Sequence, residues 1–105
     1  MADIQKNKKV EELTQTLADI IIVKHKQNKS ADINDIRGGI DNYNDMHRTE
    51  ITPNHILAYM VMLDDIERHK IMKFKAHYLK LERLLNNILL ADYGNLYEKR
   101  RTQYD

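Results

Sequence analysis

The sequence lacks most of the residues that carry catalytic or cross-linking chemistry. It has no Cys and no Trp, one Pro, three Gly and a single Ser, Ser30, among 105 residues. Without Cys, the chain has no disulfide framework and no thiolate nucleophile. No general base lies at a spacing from Ser30 that is typical of a catalytic pair, and no Gly-rich phosphate loop is present. We therefore predict that the protein is not an enzyme.

Long hydrophobic runs and targeting segments are also missing. The longest aliphatic run is Ile20–Val23, much shorter than the ~20 apolar residues that a membrane-spanning helix needs. No apolar signal segment follows Met1. We therefore expect no membrane association and a cytoplasmic location.

The His and acidic residues do not match the spacing of metal sites. No two His residues lie four positions apart on a helix, as a catalytic zinc site would need. The acidic stretch that starts at Asp32 fails the calcium-loop pattern, because Arg37 stands at the sixth position, where Gly is required. We predict no metal site and no cofactor.

The residues that are present indicate one helical globular domain. Hydrophobic residues make up 42% of the chain and charged residues 31%, a balance too apolar for a disordered chain. We expect a single domain over residues 1–105, with 95–105 as a possible tail. The small net charge of +1 conceals a strong segregation of charge.

The charge divides the chain into three segments. Residues 1–30 carry six Lys and four acids (+2), residues 31–67 two Arg and eight acids (−6), and residues 68–105 nine Lys or Arg and four acids (+5). Two interpretations follow. The favoured one is internal: the acidic and basic segments face each other within a monomer or across a dimer. The other is a basic surface that binds an acidic partner.

Two shorter helices are predicted in the first half of the chain. One runs from about Lys8 to Lys26; Ile20–Val23 could form a strand, but no second strand exists to pair with it. Ser30 is expected to cap the second helix, which either stops at Gly38 or continues through Gly38-Gly39 to about Asn44. In a continuous helix, the two glycines cost ~2 kcal/mol relative to two Ala residues. Continuation therefore requires another helix packed against the bare backbone. We favour continuation.

One long helix is predicted over residues 53–92, beginning at Thr52-Pro53 and ending at Gly94. Apolar residues recur every three or four positions along it, interrupted only by Glu67, where the spacing changes. Glu67 is either a buried carboxylate or a side chain that reaches water, and we favour the second. The predicted fold is all-α, with the two shorter helices packed along the long one. The apolar stripe consists of Ile56, Met60, Leu63, Ile71, Phe74, Tyr78, Leu81, Leu85 and Ile88.

A chain this small is expected to bury its apolar surface by self-association. The C-terminal half of the long helix is broadly apolar, so we predict a helical bundle completed by a homo-oligomer, most simply a dimer. The residues predicted to hold the copies together are Phe74, Tyr78, Leu81, Leu85 and Ile88.

We predict a small non-enzymatic interaction protein, an adaptor, inhibitor or regulator, that docks a helix face on a partner protein. The docking surface is either the acidic loop Asp41–Glu50 or the basic C-terminal third. The alternative is a nucleic-acid-binding protein that contacts phosphates through a basic face of the long helix and a C-terminal basic cluster. The face would consist of His69, Lys73, Lys80 and Arg83, and the cluster of Lys99, Arg100 and Arg101.

Overall fold

The computed structural model describes the backbone of residues 2–104 and the side chains of residues 8–92. The described backbone folds into five helices and has no strand, so the all-α prediction is confirmed. None of these helices is long and apolar enough to cross a membrane. The helices are α1 (Ala2–Lys26), α2 (Ile33–His47), α3 (Pro53–Val61), α4 (Asp65–Ile71) and α5 (Lys75–Tyr104).

Four of the helices share one hydrophobic core. Leu13 and Leu17 of α1, Ile36 of α2, Ile56 of α3 and Leu85 of α5 are completely buried there. The 3/4 spacing of apolar residues explains this burial, because it places them on one face of each helix. α4 alone contributes no buried residue.

The second helix continues through Gly38-Gly39, as predicted. A Cβ atom added at Gly39 would lie 2.8 Å from Leu17 Cδ2 and 2.9 Å from Ile20 Cδ1, whereas one added at Gly38 would meet nothing within 4 Å. The predicted close approach of a neighbouring helix is therefore confirmed at Gly39. It brings the α1 side chains against the α2 backbone.

The predicted cap of the second helix was wrong. Asp32, not Ser30, is the N-cap residue, and its carboxylate accepts a hydrogen bond from the Asp35 N–H at 3.0 Å. The Asp35 carboxylate accepts one in return from the Asp32 N–H, which completes a capping box. The Ser30 hydroxyl accepts a hydrogen bond from Lys80 Nζ instead, at 2.6 Å.

The prediction of one uninterrupted helix over residues 53–92 was wrong, because the chain forms α3, α4 and the start of α5 there. The first break follows Val61. The Asp64 carboxylate accepts a hydrogen bond from the Glu67 N–H at 2.8 Å and starts α4. The Tyr78 hydroxyl donates to the Met60 carbonyl at 2.9 Å, which satisfies an acceptor near the end of α3.

The second break has no Gly or Pro. Met72 takes an extended conformation (φ −139°, ψ 124°) and its side chain is buried in the core. The Gln15 side-chain amide donates to the Ile71 carbonyl at 3.2 Å, which satisfies an acceptor at the end of α4. Packing against α1 and burial of Met72 thus replace helical hydrogen bonds at this point.

The predicted ends of the long helix had opposite outcomes. Thr52-Pro53 does start α3: the Thr52 hydroxyl accepts from the His55 N–H at 3.3 Å, and Pro53 is the first helical residue. Gly94, by contrast, does not end the last helix, which continues to Tyr104. An isolated Gly costs a helix only ~1 kcal/mol relative to Ala, too little to stop it alone.

Candidate interaction site

The short helix α4 is held by its two ends rather than by a buried face. At its N terminus, Asp64 and Glu67 form a capping box, with the Glu67 carboxylate accepting from the Asp64 N–H at 3.4 Å. Glu67 is exposed, so the interpretation that it reaches water is confirmed. The change of spacing at Glu67 marks the first turn of a new helix.

Three large apolar side chains are exposed where α3 turns into α4. Val61 is 72% exposed, Met62 80% and Ile66 70%. We call these three residues the α3–α4 corner. Single exposed apolar residues are normal on soluble proteins, whereas exposed apolar side chains that are grouped together favour an interaction site.

A largely apolar groove of about 400 Å³ adjoins this corner. It lies between α1, α3 and the start of α4, and Met62 belongs both to its lining and to the corner. Tyr59 lines it as well; burial, with a smaller contribution from Glu11 and Glu67, raises the pKa of the Tyr59 hydroxyl, which stays a neutral donor. The lining residues are Val10, His55, Ala58, Tyr59, Met62, Leu63 and Glu67.

A second depression of about 300 Å³ lies between α4 and α5, and we call it the α4–α5 cleft. Three cations, two carboxylates and His69 line it together with apolar side chains. The lining residues are Asp65, Arg68, His69, Met72, Lys73, Lys75, Tyr78, Leu79 and Glu82.

Arg68 is the most unusual group in the α4–α5 cleft. Its Cζ atom lies 5.2 Å from the centre of the Tyr78 ring, a cation–π distance. Burial raises the pKa of the Tyr78 hydroxyl, although the nearby Arg68 charge partly opposes this. Arg68 Nε is buried and meets no hydrogen-bond acceptor among the described residues. No described carboxylate lies within 4.0 Å of the guanidinium either.

Segments 31–67 and 68–105 do face each other, because α2 and α3 pack against α5, but their opposite charges do not pair as expected within the described part of one chain. Its two ion pairs are Lys24–Asp35 at 3.7 Å and Arg37–Asp92 at 2.8 Å. Neither joins a described basic residue of segment 68–105 to an acid of segment 31–67. Much of the acidity has a local role instead, because four of the eight acids form the capping boxes of α2 and α4: Asp32, Asp35, Asp64 and Glu67.

The predicted nucleic-acid-binding residues do not form one stripe on one helix. His69 lies on α4, Lys73 in the connection to α5, and Lys80 and Arg83 on α5. His69 and Lys73 line the α4–α5 cleft, Lys80 donates to Ser30, and Arg83 is exposed. The side chains of Lys99, Arg100 and Arg101 lie outside the described residues.

The predicted self-association residues need a correction. Tyr78, Leu81, Leu85 and Ile88 are at most 3% exposed within a single chain, and only Phe74, at 61%, reaches the surface. The stripe of α5 is covered by α1, α2 and α3 of the same chain. One chain thus buries most of the surface that we had assigned to a second copy.

The predicted acidic loop is also more ordered than expected. Asp41–His47 belongs to α2, and the turn that follows is organised by Asn44. The Asn44 side chain accepts from the Ile51 N–H at 3.0 Å and donates to the Ile51 carbonyl at 2.9 Å. The described part of the chain brings no three His, Asp or Glu side chains together where they could hold a metal ion.

Sequence reasoning missed both the α3–α4 corner and Arg68. The signal for the corner was present, because Asp64 followed three residues later by Glu67 is a capping-box pattern. A continuous apolar stripe across that point concealed it. Nothing local distinguishes Arg68 from the other basic residues, since its importance depends on Tyr78 and on the cleft.

Comparison with known proteins adds no relative. No protein-family model matches the chain, and searches of curated proteins and of solved structures find no match.

Proposed function

We propose that this protein is a small non-enzymatic helical interaction protein that binds a partner protein at the α3–α4 corner. The observation that carries the proposal is the 70–80% exposure of Val61, Met62 and Ile66. A soluble chain gains nothing from keeping three neighbouring large apolar side chains in water, so their exposure favours a surface that a partner covers.

The adjoining groove indicates what kind of partner fits. Its lining is mostly apolar, with Glu67 and His55 as polar groups. This combination suits an amphipathic helix, whose apolar side chains enter the groove while its polar flank meets the polar groups. The position of α4 supports the proposal, because a helix without buried residues can adjust to a partner at little cost to the core.

The test places a photo-crosslinking amino acid at Met62 in cells that produce the protein. Met46, 72% exposed on α2, provides the matched control position. We expect a protein captured from Met62 and not from Met46. That protein, once purified, should bind the Ile66→Asp variant at least about tenfold more weakly than the wild type. Equal binding to the variant would contradict the proposal.

The same experiment addresses self-association. Any dimer would use exposed groups such as the corner or Phe74, because the other predicted interface residues are buried. If the captured protein is a second copy of the chain, the corner joins two copies and the proposal of a different partner protein fails. Sedimentation velocity over a range of concentrations would then show a dimer that Ile66→Asp converts to monomer.

Nucleic-acid binding is a second candidate function. One observation favours it. The described basic residues of segment 68–105, which lie between residues 68 and 83, have no ion-pair partner among the described residues. Unpaired cations are available to contact phosphates and release counterions.

Fluorescence anisotropy of single- and double-stranded DNA and RNA at two salt concentrations tests this candidate. The triple variant Lys73→Glu, Lys80→Glu and Arg83→Glu is compared with a control triple of the same charge change, Lys8→Glu, Lys9→Glu and Lys29→Glu. We expect the first triple to abolish salt-dependent binding and the control to retain it. No binding by the wild type at low salt, or equal losses in both triples, would exclude the candidate.

A further inference from the structure

We infer that the α4–α5 cleft binds a phosphomonoester group, with Arg68 as its main ligand. This inference goes beyond the docking proposal and does not depend on it, because it concerns the opposite side of α4. It rests on an unneutralised guanidinium, on the groups that hold this guanidinium in place, and on the other cations of the cleft.

The first step concerns the charge of Arg68. Its side chain is half-buried, its Nε–H meets no acceptor, and no described carboxylate lies within 4.0 Å. A half-buried cation normally has an anionic or hydrogen-bonding partner. Two carboxylates, Asp65 and Glu82, line the same cleft, yet neither contacts it. Nε is enclosed, so an anion from outside would meet the two terminal nitrogens of the guanidinium, which are not among the buried unpartnered atoms.

The second step concerns the position of the guanidinium. It lies 5.2 Å from the centre of the Tyr78 ring, and Tyr78 is itself fixed by burial and by its hydrogen bond to the Met60 carbonyl. Stacking on a fixed ring restricts the side chain before any ligand arrives. The planar fork of N–H donors suits the oxygens of a phosphate group, which it can bind through two parallel hydrogen bonds.

The third step concerns the ligand's charge. Lys73 and Lys75 line the cleft beside Arg68, so three cations lie along a depression of about 300 Å³. Lys75 is also the first residue of α5, so the positive end of that helix dipole adds to the potential. A phosphoryl group presents three terminal oxygens, one for each cation, whereas a carboxylate presents only two.

The two carboxylates limit what else can bind. Asp65 and Glu82 favour a small phosphorylated ligand with hydroxyl or ammonium groups, from which they can accept hydrogen bonds. The phosphoryl group is common to nucleotides, to phosphorylated amino acids and to free phosphate, and the experiment separates these sources.

The test follows the Arg68 Nε–Hε resonance and the backbone amides by two-dimensional NMR of the full chain. Inorganic phosphate, O-phosphoserine and adenosine 5′-monophosphate are each titrated into the millimolar range, with sodium chloride matching the ionic strength. We expect saturable shifts at Arg68 and Lys75 for the phosphate compounds and none for chloride. The tightest of the three identifies the source of the phosphoryl group.

Variants decide whether Arg68 is responsible. Arg68→Gln should weaken binding at least about tenfold, because a charge-assisted bidentate contact is lost. Lys26→Gln, an exposed cation at the end of α1 and outside the cleft, should leave binding within about twofold, as expected for a distant screened charge. If Arg68→Gln does not fold, the exposed pair Lys73→Gln and Lys75→Gln serves in its place, with the same expected loss.

Three results would overturn the inference. The first is the absence of saturable shifts for all three phosphate compounds. The second is binding that Lys26→Gln weakens as much as Arg68→Gln does, which would show diffuse electrostatic attraction only. The third is saturable binding whose shifts lie away from residues 68–75.

Discussion

The α1–α2 pair and the helix α4 are built in opposite ways. α1 and α2 approach so closely that Leu17 and Ile20 press against the backbone at Gly39, and Tyr43 adds a hydrogen bond to Glu12 at 2.9 Å. α4 has no buried residue and is defined by its capping box and by single hydrogen bonds at its ends. Stability is therefore concentrated in the α1–α2 pair, while the α3–α4 corner and the unpaired Arg68 lie at or beside α4.

The largest expected effect contrasts a core residue of α1 with an apolar residue of α4. Leu17→Ala should lower the free energy of unfolding by about 2–5 kcal/mol, because it leaves a cavity at a fully buried position. Ile66→Ala should change it by less than about 0.5 kcal/mol, since that side chain is 70% exposed. Urea unfolding monitored by circular dichroism measures both. Similar losses would mean that α4 shares in the core after all.

The next effect should appear at alkaline pH. Burial, and then the hydrogen bond to Glu12 and its charge, raises the pKa of Tyr43 from 10.0 to about 12. The folded state holds this proton more tightly than the unfolded state, so the resulting stability is present below pH 10 and is lost as pH rises toward 12. The loss should be on the order of 2 kcal/mol.

Tyr43→Phe tests this pH dependence by urea unfolding at several pH values. Below pH 10 the variant should be less stable than the wild type by a constant ~1 kcal/mol, the usual contribution of one hydrogen bond. Above pH 10 the wild type should lose stability more steeply than the variant. If the stabilities of the wild type and the variant stay parallel over the whole pH range, the pKa of Tyr43 is the same in the folded and unfolded states.

The two glycines of α2 provide an internal control for the close approach to α1. Gly38→Ala should stabilise the protein by up to about 1 kcal/mol, because Ala favours a helix and nothing lies within 4 Å. Gly39→Ala should destabilise it by about 1–2 kcal/mol, because the new Cβ would force Leu17 and Ile20 to move within a packed core. The difference between their denaturation midpoints is the measurement. Equal effects would exclude tight packing here.

The smallest expected effect is confined to α4. Asp64→Ala should cost about 1 kcal/mol of local stability, because it removes the N-cap. Amide hydrogen exchange should become faster in residues 65–71 and stay unchanged in α1 and α2. Asp65→Ala, one residue along and without a capping role, should have an effect of only a few tenths of a kcal/mol. Faster exchange throughout the protein would mean that α4 unfolds together with the core and not separately.

Sequence patterns predicted the core accurately except around α4. Of the nine residues in the predicted stripe, only Ile71 and Phe74 are not buried, and both lie at the second break. The remaining seven have the predicted burial although they belong to separate helices. The stripe predicted the buried helix faces reliably, because a break between two helices does not change which side chains are apolar.

Candidate sites were less predictable than the core. The basic residues were recognised from composition, yet their arrangement was not, because it depends on how α4 and α5 are oriented after the breaks. Arg68 could not be singled out, since Tyr78, whose ring it lies over, is ten positions away in the chain. The buried Tyr78 and Leu81 were assigned to a second copy, because the sequence does not show how much area α1, α2 and α3 cover.

The sequence by itself determined the all-α fold, the apolar faces and the start at Thr52-Pro53. Each depends on local spacing or capping. Only the tertiary structure decided that the chain would break at Met72, because burying that side chain and bonding Gln15 to the Ile71 carbonyl together outweigh the helical hydrogen bonds lost there. That competition involves residues more than fifty positions apart, which no local pattern records.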